Sequence, residues 1–552
     1  MPSRRLAAAL APLALACLVA CNGNASSSSP GFLAPPASSS AASIASSSDP
    51  PPPSSSDAAP PRDADAGPKP QLSTKLFSST IWEKPNYESL PLGYFHAGSR
   101  VARAADPYPE IASPSARRAA GIEIMQPCGG RWFKLDPVGF VCEGKDGVTL
   151  DLDDPNVAIP ARYLPKDEPL PYGYGMSYST PMYTRVPTAQ EQRDAEGDVA
   201  YWRKTLAEMR AKTPADKLSP EFAIPVEEMP DYLANHAQAP AILPWLVVGK
   251  NVKGGYALPS TRLAFVSHFE SEGRHWYLTS EQLLVPGDRF KSARTAEFRG
   301  LELAVAGEKG EHLPMVWVRF PTDKQPVFVY RVEGEGRPVK TLMELPLQSH
   351  HEIAQQDVML KGVRYHELIT PPQGLPEGKY VVRQSDVTRV DPVKQPPEKI
   401  VGDETWIDID LVKQTLILYR GAVPTFMTLV SSGAGGKGRI TPTGTFRIYQ
   451  KHLTTRMSAD EKPPEKQGEE AERSYRFDDV PWVQYFYAGI ALHAAFWHDG
   501  FGQPKSHGCI NLSPRDAQYL FKRTLPEMPS GWHGVNGGRG GITLGTVVVV
   551  HT

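Results

Sequence analysis

A thiol, several imidazoles and a glycine crowd together near the end of this 552-residue chain. The stretch reads Ser506-His507-Gly508-Cys509-Ile510-Asn511, and Leu492-His493-Ala494 lies upstream of it, followed by Trp497 and His498. Cysteine catalysis needs a thiolate, and a nearby imidazole can take the proton and stay paired with the anion. It also needs donors aimed at the oxygen where charge builds as a carbonyl is attacked. Gly508 lets the backbone pass close to a substrate. Cys509 is therefore the candidate nucleophile. His493 ends an apolar run that can hold its ring at the rim of a sheet, which makes it the candidate base. His498 is the competing base. His507 either takes part or only hydrogen-bonds within its loop, and Lys505 either favours the thiolate or is simply solvated.

The same side chains, His493, His498, His507 and Cys509, offer a second reading as zinc ligands. Their spacing repeats no zinc-hydrolase pattern, and a metal-bound cysteine has no need of the flanking glycine. Neither metal nor cofactor is expected.

Ser506-His507-Gly508-Cys509-Ile510-Asn511, with His493 upstream and Thr441-Pro442-Thr443-Gly444-Thr445-Phe446 earlier, resembles the signature of the L,D-transpeptidase (YkuD-like) family over about residues 403–552. The resemblance implies that Cys509 is the nucleophile and His493 its proton acceptor and donor. It implies that the Ala494 carbonyl orients His493, so that no triad carboxylate is required. Ser506 and His507 would support the site, with the Gly508 and Cys509 N–H groups as the oxyanion hole. Trp497, Met457 and Asn511 would line the substrate cleft. The implied partners are peptidoglycan stem peptides. Attack falls on the third residue of a tetrapeptide, the terminal D-residue leaves, and a neighbouring stem's amine closes a 3→3 crosslink; attachment of a protein to the stem is a variant of the same chemistry. Water in place of the amine would make an L,D-carboxypeptidase. Apolar Ala495, Phe496 and Trp497 beside His493 suit a cleft that limits water and so favours transfer. A non-catalytic wall-binding lipoprotein with a dead site is the remaining alternative, and the intact cysteine and histidine argue against it.

Elements able to position these groups are visible around them. Trp406 to Leu411 and Thr415 to Gly421 read as a hairpin. Thr425 to Ser432, Thr445 to Tyr449 and Thr546 to His551 read as further strands. Ser513 can cap a helix with Pro514 at its first position and Asp516 in its first turn, burying Ala517, Leu520 and Phe521. The expected architecture is mostly β and multidomain, ending in a transpeptidase-type β-sandwich with a short helix over 403–552. Upstream, 76–160 resembles a bacterial SH3-like module in turn spacing and aromatic placement. Residues 161–397 form a mixed region, with a helix between Thr188 and Lys212 that places Ala200, Leu206 and Met209 on one face. A possible second SH3-like module spans about 310–392.

The chain carries 59 basic and 61 acidic side chains, a net charge of −2, which gives no reason to expect nucleic acid as a partner. Arg4, Arg5 and the apolar run Leu6 to Val19 read as an export signal over residues 1–20. The run ends Leu18-Val19-Ala20-Cys21, which resembles a lipobox and implies lipidation of Cys21. Residues 21–75, rich in Ser, Ala and Pro, read as a disordered tether. Asn22 rather than Asp follows the cysteine, so the expected place is the cell envelope, a periplasm-facing membrane lipoprotein in the outer rather than the inner membrane. Cys17 leaves with the signal and Cys21 would carry the lipid, so three of the five cysteines remain in the folded part. Cys128 and Cys142 should pair in an oxidising compartment, closing a short loop worth roughly 3 kcal/mol. Cys509 is left as the free thiol.

Overall fold

A computed structural model describes residues 69–104, 128–212, 226–238, 253–257, 261–292, 296–305, 307–319, 326–436, 439–458, 476–538 and 541–552. The expected signal peptide, Cys21 and most of the tether lie outside the described residues. The fold is mostly β with few, short helices.

The first strand, Gln71–Thr74, begins inside the stretch expected to be a tether through residue 75. Leu72 joins an apolar core with Ile81, Phe95, Phe133 and Val141, and Thr74 Oγ1 donates to Asp146 O. A polar composition hid one inward-facing leucine in a strand that also pairs with Val101–Ala102 and Val148–Thr149. Cys128 and Cys142 are disulfide-bonded, with Cα atoms 6.2 Å apart, and Cys509 is the free cysteine of the described residues. This N-terminal unit is not a separate bead. Its strand Pro91–His96 pairs antiparallel with Gly534–Asn536 near the C-terminus, Gly93 opposite Val535 and Tyr94 opposite Gly534. A side chain at Gly93 would collide with Gly534 O at 2.2 Å and the Trp532 ring at 2.7 Å, so the approach requires glycine there.

The expected single helix over 188–212 is two. Thr188 and Glu191 form a reciprocal capping box on Ala189–Glu196, and Gly197 stops that helix at φ 72°. A second helix spans Val199–Lys212, and Ala200, expected on a buried face, is exposed. Glu196 accepts from Arg274, a pair that is almost wholly buried, and Asp288 accepts from the same guanidinium. These contacts fasten the helix to the sheet containing Arg262–Ser271 and Arg274–Thr279. Farther on, residues 315–390 form a three-stranded and a five-stranded antiparallel sheet.

In the C-terminal region the hairpin Thr405–Asp410 and Thr415–Arg420 forms as expected, Thr405 opposite Arg420 and Asp410 opposite Thr415. It lies at the centre of a six-stranded sheet. Val423–Leu429 and then Leu301–Glu302 follow on one side, and Val547–His551 and then Gly444–Arg447 on the other. One face packs Ile407, Ile409 and Leu416 against Leu492, Ile510, Leu520 and Phe521 of a second layer. The opposite face packs Trp406, Tyr419 and Met427 against Phe298, Met315 and Trp317 from the preceding region. Helix Pro514–Phe521 begins as expected: Ser513 Oγ accepts from Asp516 N, and Ala517, Leu520 and Phe521 are buried.

Three imidazoles meet where the N-terminal unit joins the C-terminal region. His96 stacks on His533 at 3.8 Å, and Tyr94 Oη hydrogen-bonds His452 Nδ1 at 2.9 Å. Burial holds all three well below the usual 6.5, His452 at about 3 and His533 at about 4. Folding thus keeps them neutral, while the unfolded chain takes up protons once the pH falls below about 6.5. Stability is full above that value and is lost as the pH drops toward 4. Urea midpoints should fall between pH 7 and pH 5, and His96→Phe should flatten the fall; a pH-independent midpoint over this window refutes the coupling. A separate thiol titration of the denatured, unreduced mature protein should find one thiol, Cys509. Three would mean that Cys128 and Cys142 are reduced.

Candidate active site

Strands Ile490–Ala494 and Ile510–Leu512 run parallel, with Leu492 opposite Ile510, His493 opposite Asn511 and Ala494 opposite Leu512. Leu492, Ala494, Ile510 and Leu512 all point into the core between the two layers. Side chains alternate along a strand, so His493 and Asn511 face the other way, and Cys509, directly before Ile510, shares their face. The apolar residues thereby choose where the thiol and imidazole go. His493 is wholly buried and Cys509 is 4% exposed.

His493 Nδ1 hydrogen-bonds Ala494 O at 3.0 Å. A carbonyl only accepts, so the ring proton belongs on Nδ1 and the Nε2 lone pair is bare. Nε2 is buried and has no hydrogen-bond partner in the protein. The ring lies 5.7 Å from that of Trp497, which packs on Phe477 at 4.3 Å. Met457 belongs to the same half-buried cluster as Trp497. Ala495 and Phe496, expected to line the cleft beside Trp497, are instead wholly buried core residues. Each joins a different hydrophobic cluster, because the chain turns between two packed layers at that point.

The loop before Cys509 is held by its own hydroxyl. Ser506 Oγ donates to Cys509 O and accepts the Gly508 N–H at 3.0 Å. The Gly508 N–H, expected to help form an oxyanion hole, is therefore committed to Ser506. Gly508 adopts φ +133°, and a side chain there would meet Ile440 O at 3.1 Å. Thr441 Oγ1 donates to Gly508 O at 2.7 Å and accepts the Gly433 N–H at 2.9 Å. Thr441 opens the Thr-Pro-Thr-Gly motif, so that motif reaches the cysteine loop through this hydroxyl. Ser431 and Asn511 exchange backbone hydrogen bonds of 3.0 and 2.9 Å, completing the cradle.

His498 lies within the same corner, its Nε2 3.1 Å from Asn511 Nδ2. Burial, then the charges of Lys505, His493 and Arg262, push it down to about 3. Burial and then Arg439 lower His507 to about 4. Asp516, raised by burial to about 6, accepts from Gly300 N at 3.0 Å and from Thr428 Oγ1 at 2.6 Å, tying the helix after the cysteine to the large sheet. Among the described residues no group of three or more His, Cys, Asp or Glu side chains is gathered to hold a metal. Three residues near the site carried no signal of their own in the sequence reading. Thr441 sat unremarked within its motif. Tyr449, whose hydroxyl accepts from Gly489 N at 3.3 Å, is raised by burial and also by the neighbouring Cys509. Arg262 comes from a segment far upstream.

Residues 404–550 match the model of the YkuD L,D-transpeptidase catalytic domain. No curated protein matches the chain. Among solved structures it is similar to the crystal structure of an Enterococcus faecium L,D-transpeptidase, with 21% identity over 27% of this chain and 50% of that one and a TM-score of 0.20. It is similar to the NMR structure of the catalytic domain from the same species, with 22% identity over 27% and 98% and a TM-score of 0.20. An L,D-transpeptidase from Mycobacterium smegmatis shares 16% identity over 34% and 90%, with a TM-score of 0.21. The chain thus spans half the length of the first of these proteins. Residues 404–550 of this chain are a YkuD-type L,D-transpeptidase catalytic domain.

Proposed function

We propose that the chain is a peptidoglycan L,D-transpeptidase that works through a Cys509 thioester and joins stem peptides by 3→3 crosslinks. The observation that supports it most is the bare, buried Nε2 of His493, aimed by Ala494 O on the strand beside Cys509. In this reading His493 Nε2 takes the Cys509 proton, and the thiolate attacks the carbonyl of the third stem residue. The tetrahedral oxyanion collapses as His493 gives its proton to the departing amine of the terminal D-residue, leaving a thioester. The side-chain amine of a neighbouring third residue then attacks, His493 takes its proton, and the thiolate leaves. An imidazole held at about 3, as His498 is, is too weak a base for the first step near neutral pH. Burial of His493 and Cys509 limits water at the thioester, which favours the amine over hydrolysis.

The same proposal places the chain in the cell envelope. Cys21 would be lipidated after signal cleavage, and the Ser- and Pro-rich stretch after it would let the body reach wall peptides from the membrane surface.

Purified enzyme given a disaccharide-tetrapeptide should yield dimers lacking one terminal D-residue, with a mass adduct on Cys509 during turnover. Cys509→Ala and His493→Ala should abolish the adduct, and His498→Ala should retain its formation at saturating substrate. Tripeptide alone would instead show a carboxypeptidase, and an exchange of behaviour between the two histidine variants would move the base to His498. For the anchor, Cys21→Ser should leave an unlipidated precursor; unchanged mass and membrane partitioning would sink that part of the reading.

A further inference from the structure

Two neighbouring strands near the reacting pair slip out of register at one point. Gln450–Ser458 and Arg476–Tyr487 run antiparallel, with Thr455 opposite Val480 and then Met457 opposite Phe477. Arg456 therefore faces both Asp478 and Asp479, which makes a β-bulge. Asp479 bends there at φ 48°, a conformation that residues with a side chain seldom adopt. Met457 and Phe477 are the first pair beyond the bulge. Phe477 packs on Trp497 at 4.3 Å, and the Trp497 ring lies 5.7 Å from that of His493. Met457 and Trp497 are half-buried members of this cluster, whereas His493 is wholly buried. A bulge bends its strand, so the shape of this one decides where these side chains stand.

That shape is held from outside residues 404–550. The turn Ser280-Glu281 lies between the strands Arg274–Thr279 and Leu284–Pro286. Glu281 Oε1 accepts from Arg456 Nη2, and Oε2 accepts from Arg476 Nη2 at 3.2 Å. One carboxylate thus bridges the two strands. Asp478 completes the ring, accepting from Arg456 Nε at 3.0 Å and from Arg476 Nε at 2.8 Å. Ser280 Oγ donates to Asp479 Oδ2, and Thr454 Oγ1 donates to Asp479 Oδ1 at 2.8 Å. Without Glu281, the two guanidiniums of the ring would share the single carboxylate of Asp478. The side chains of Glu281 and Asp478 are 11% and 5% exposed, so water is a poor substitute for these bonds.

We propose that Glu281 is a positioning residue for the donor peptide: by pinning the bulge it fixes the apolar surface of Met457, Phe477 and Trp497 beside His493. The proposal rests on the transpeptidase reading above. The region before the catalytic domain thereby sets affinity for the substrate. Its effect falls on binding rather than on bond-making, because the reacting groups are oriented separately. Ala494 O holds the His493 ring, and the Ser506 and Thr441 hydroxyls hold the Cys509 loop.

The test follows thioester formation on Cys509 by mass in the full chain, as initial rates over a range of tetrapeptide-stem concentrations. In Glu281→Gln an amide N–H meets an arginine N–H, so the bridge fails at nearly constant volume. The half-saturating concentration should rise about tenfold, with the plateau rate kept within about twofold. Arg456→Lys keeps the charge but cannot fork to Glu281 and Asp478 at once, and should show the same split. It carries the test where Glu281→Gln fails to fold. A general loss of stability would instead lower the plateau, by shrinking the folded fraction, and leave the half-saturating concentration unchanged. That result, or unchanged kinetics in either variant, overturns the proposal. Failure of the transpeptidase reading shows differently: the unaltered protein forms no Cys509 adduct at any concentration, and the proposal falls with it.

Discussion

Everything at this site depends on one packing constraint, the burial of Leu492, Ala494, Ile510 and Leu512 against the large sheet. All four are wholly buried. Each fully buried leucine or isoleucine gains about 1.5–3 kcal/mol over exposure, and a slip of one residue would put these side chains on the wrong face. Such a slip would also carry His493 and Cys509 into the core. The register that satisfies the apolar residues is therefore the register that presents the thiol and the imidazole together. No direct contact between the two polar groups is needed to choose it.

The polar groups around the cysteine fix a second quantity, the path of the loop. Ser506 Oγ spans from Gly508 N to Cys509 O, and Thr441 Oγ1 spans from Gly433 N to Gly508 O. Both hydroxyls are buried, so each unmade bond would cost about 1–3 kcal/mol. Gly508 is confined between these anchors at a φ that glycine alone accepts easily. The consequence is chemical as well as structural. The Gly508 N–H serves the loop, so it does not form, with the Cys509 N–H, a pair of free consecutive backbone donors.

How far the sequence disclosed this depends on how local each feature is. The hairpin at 405–420, the Ser513-capped helix and the Ser-His-Gly-Cys stretch are set by neighbours in the chain, and their residue types announce them. The helix over 188–212 was visible, but its break at Gly197 shows how one glycine at positive φ outranks a run of helix formers. Ala495 and Phe496 misled because adjacency to His493 says nothing about which layer a side chain enters after a turn. Arg262 and Tyr449 were invisible as neighbours of this corner for a plainer reason: their places are set by backbone pairings across long stretches of chain, and nothing local marks an arginine or a tyrosine for that use.

The same long-range pairings change what the upstream regions are. Modules joined by linkers would leave the catalytic sheets covered by their own domain alone. Here Trp406, Tyr419, Met427 and Val547 on one face are covered by Phe298, Met315 and Trp317. Trp532 and Val535 at another edge complete the core that holds Leu72 and Phe95. Between these contacts, Glu281 of the middle region accepts from both Arg456 and Arg476, gripping the two strands that carry Met457 and Phe477. Removing the upstream chain would expose aromatic surface and strand edges of a kind that soluble proteins rarely leave open. Residues 404–550 are thus the part that matches the L,D-transpeptidase family, but the hydrophobic bookkeeping of the fold closes only over the longer chain.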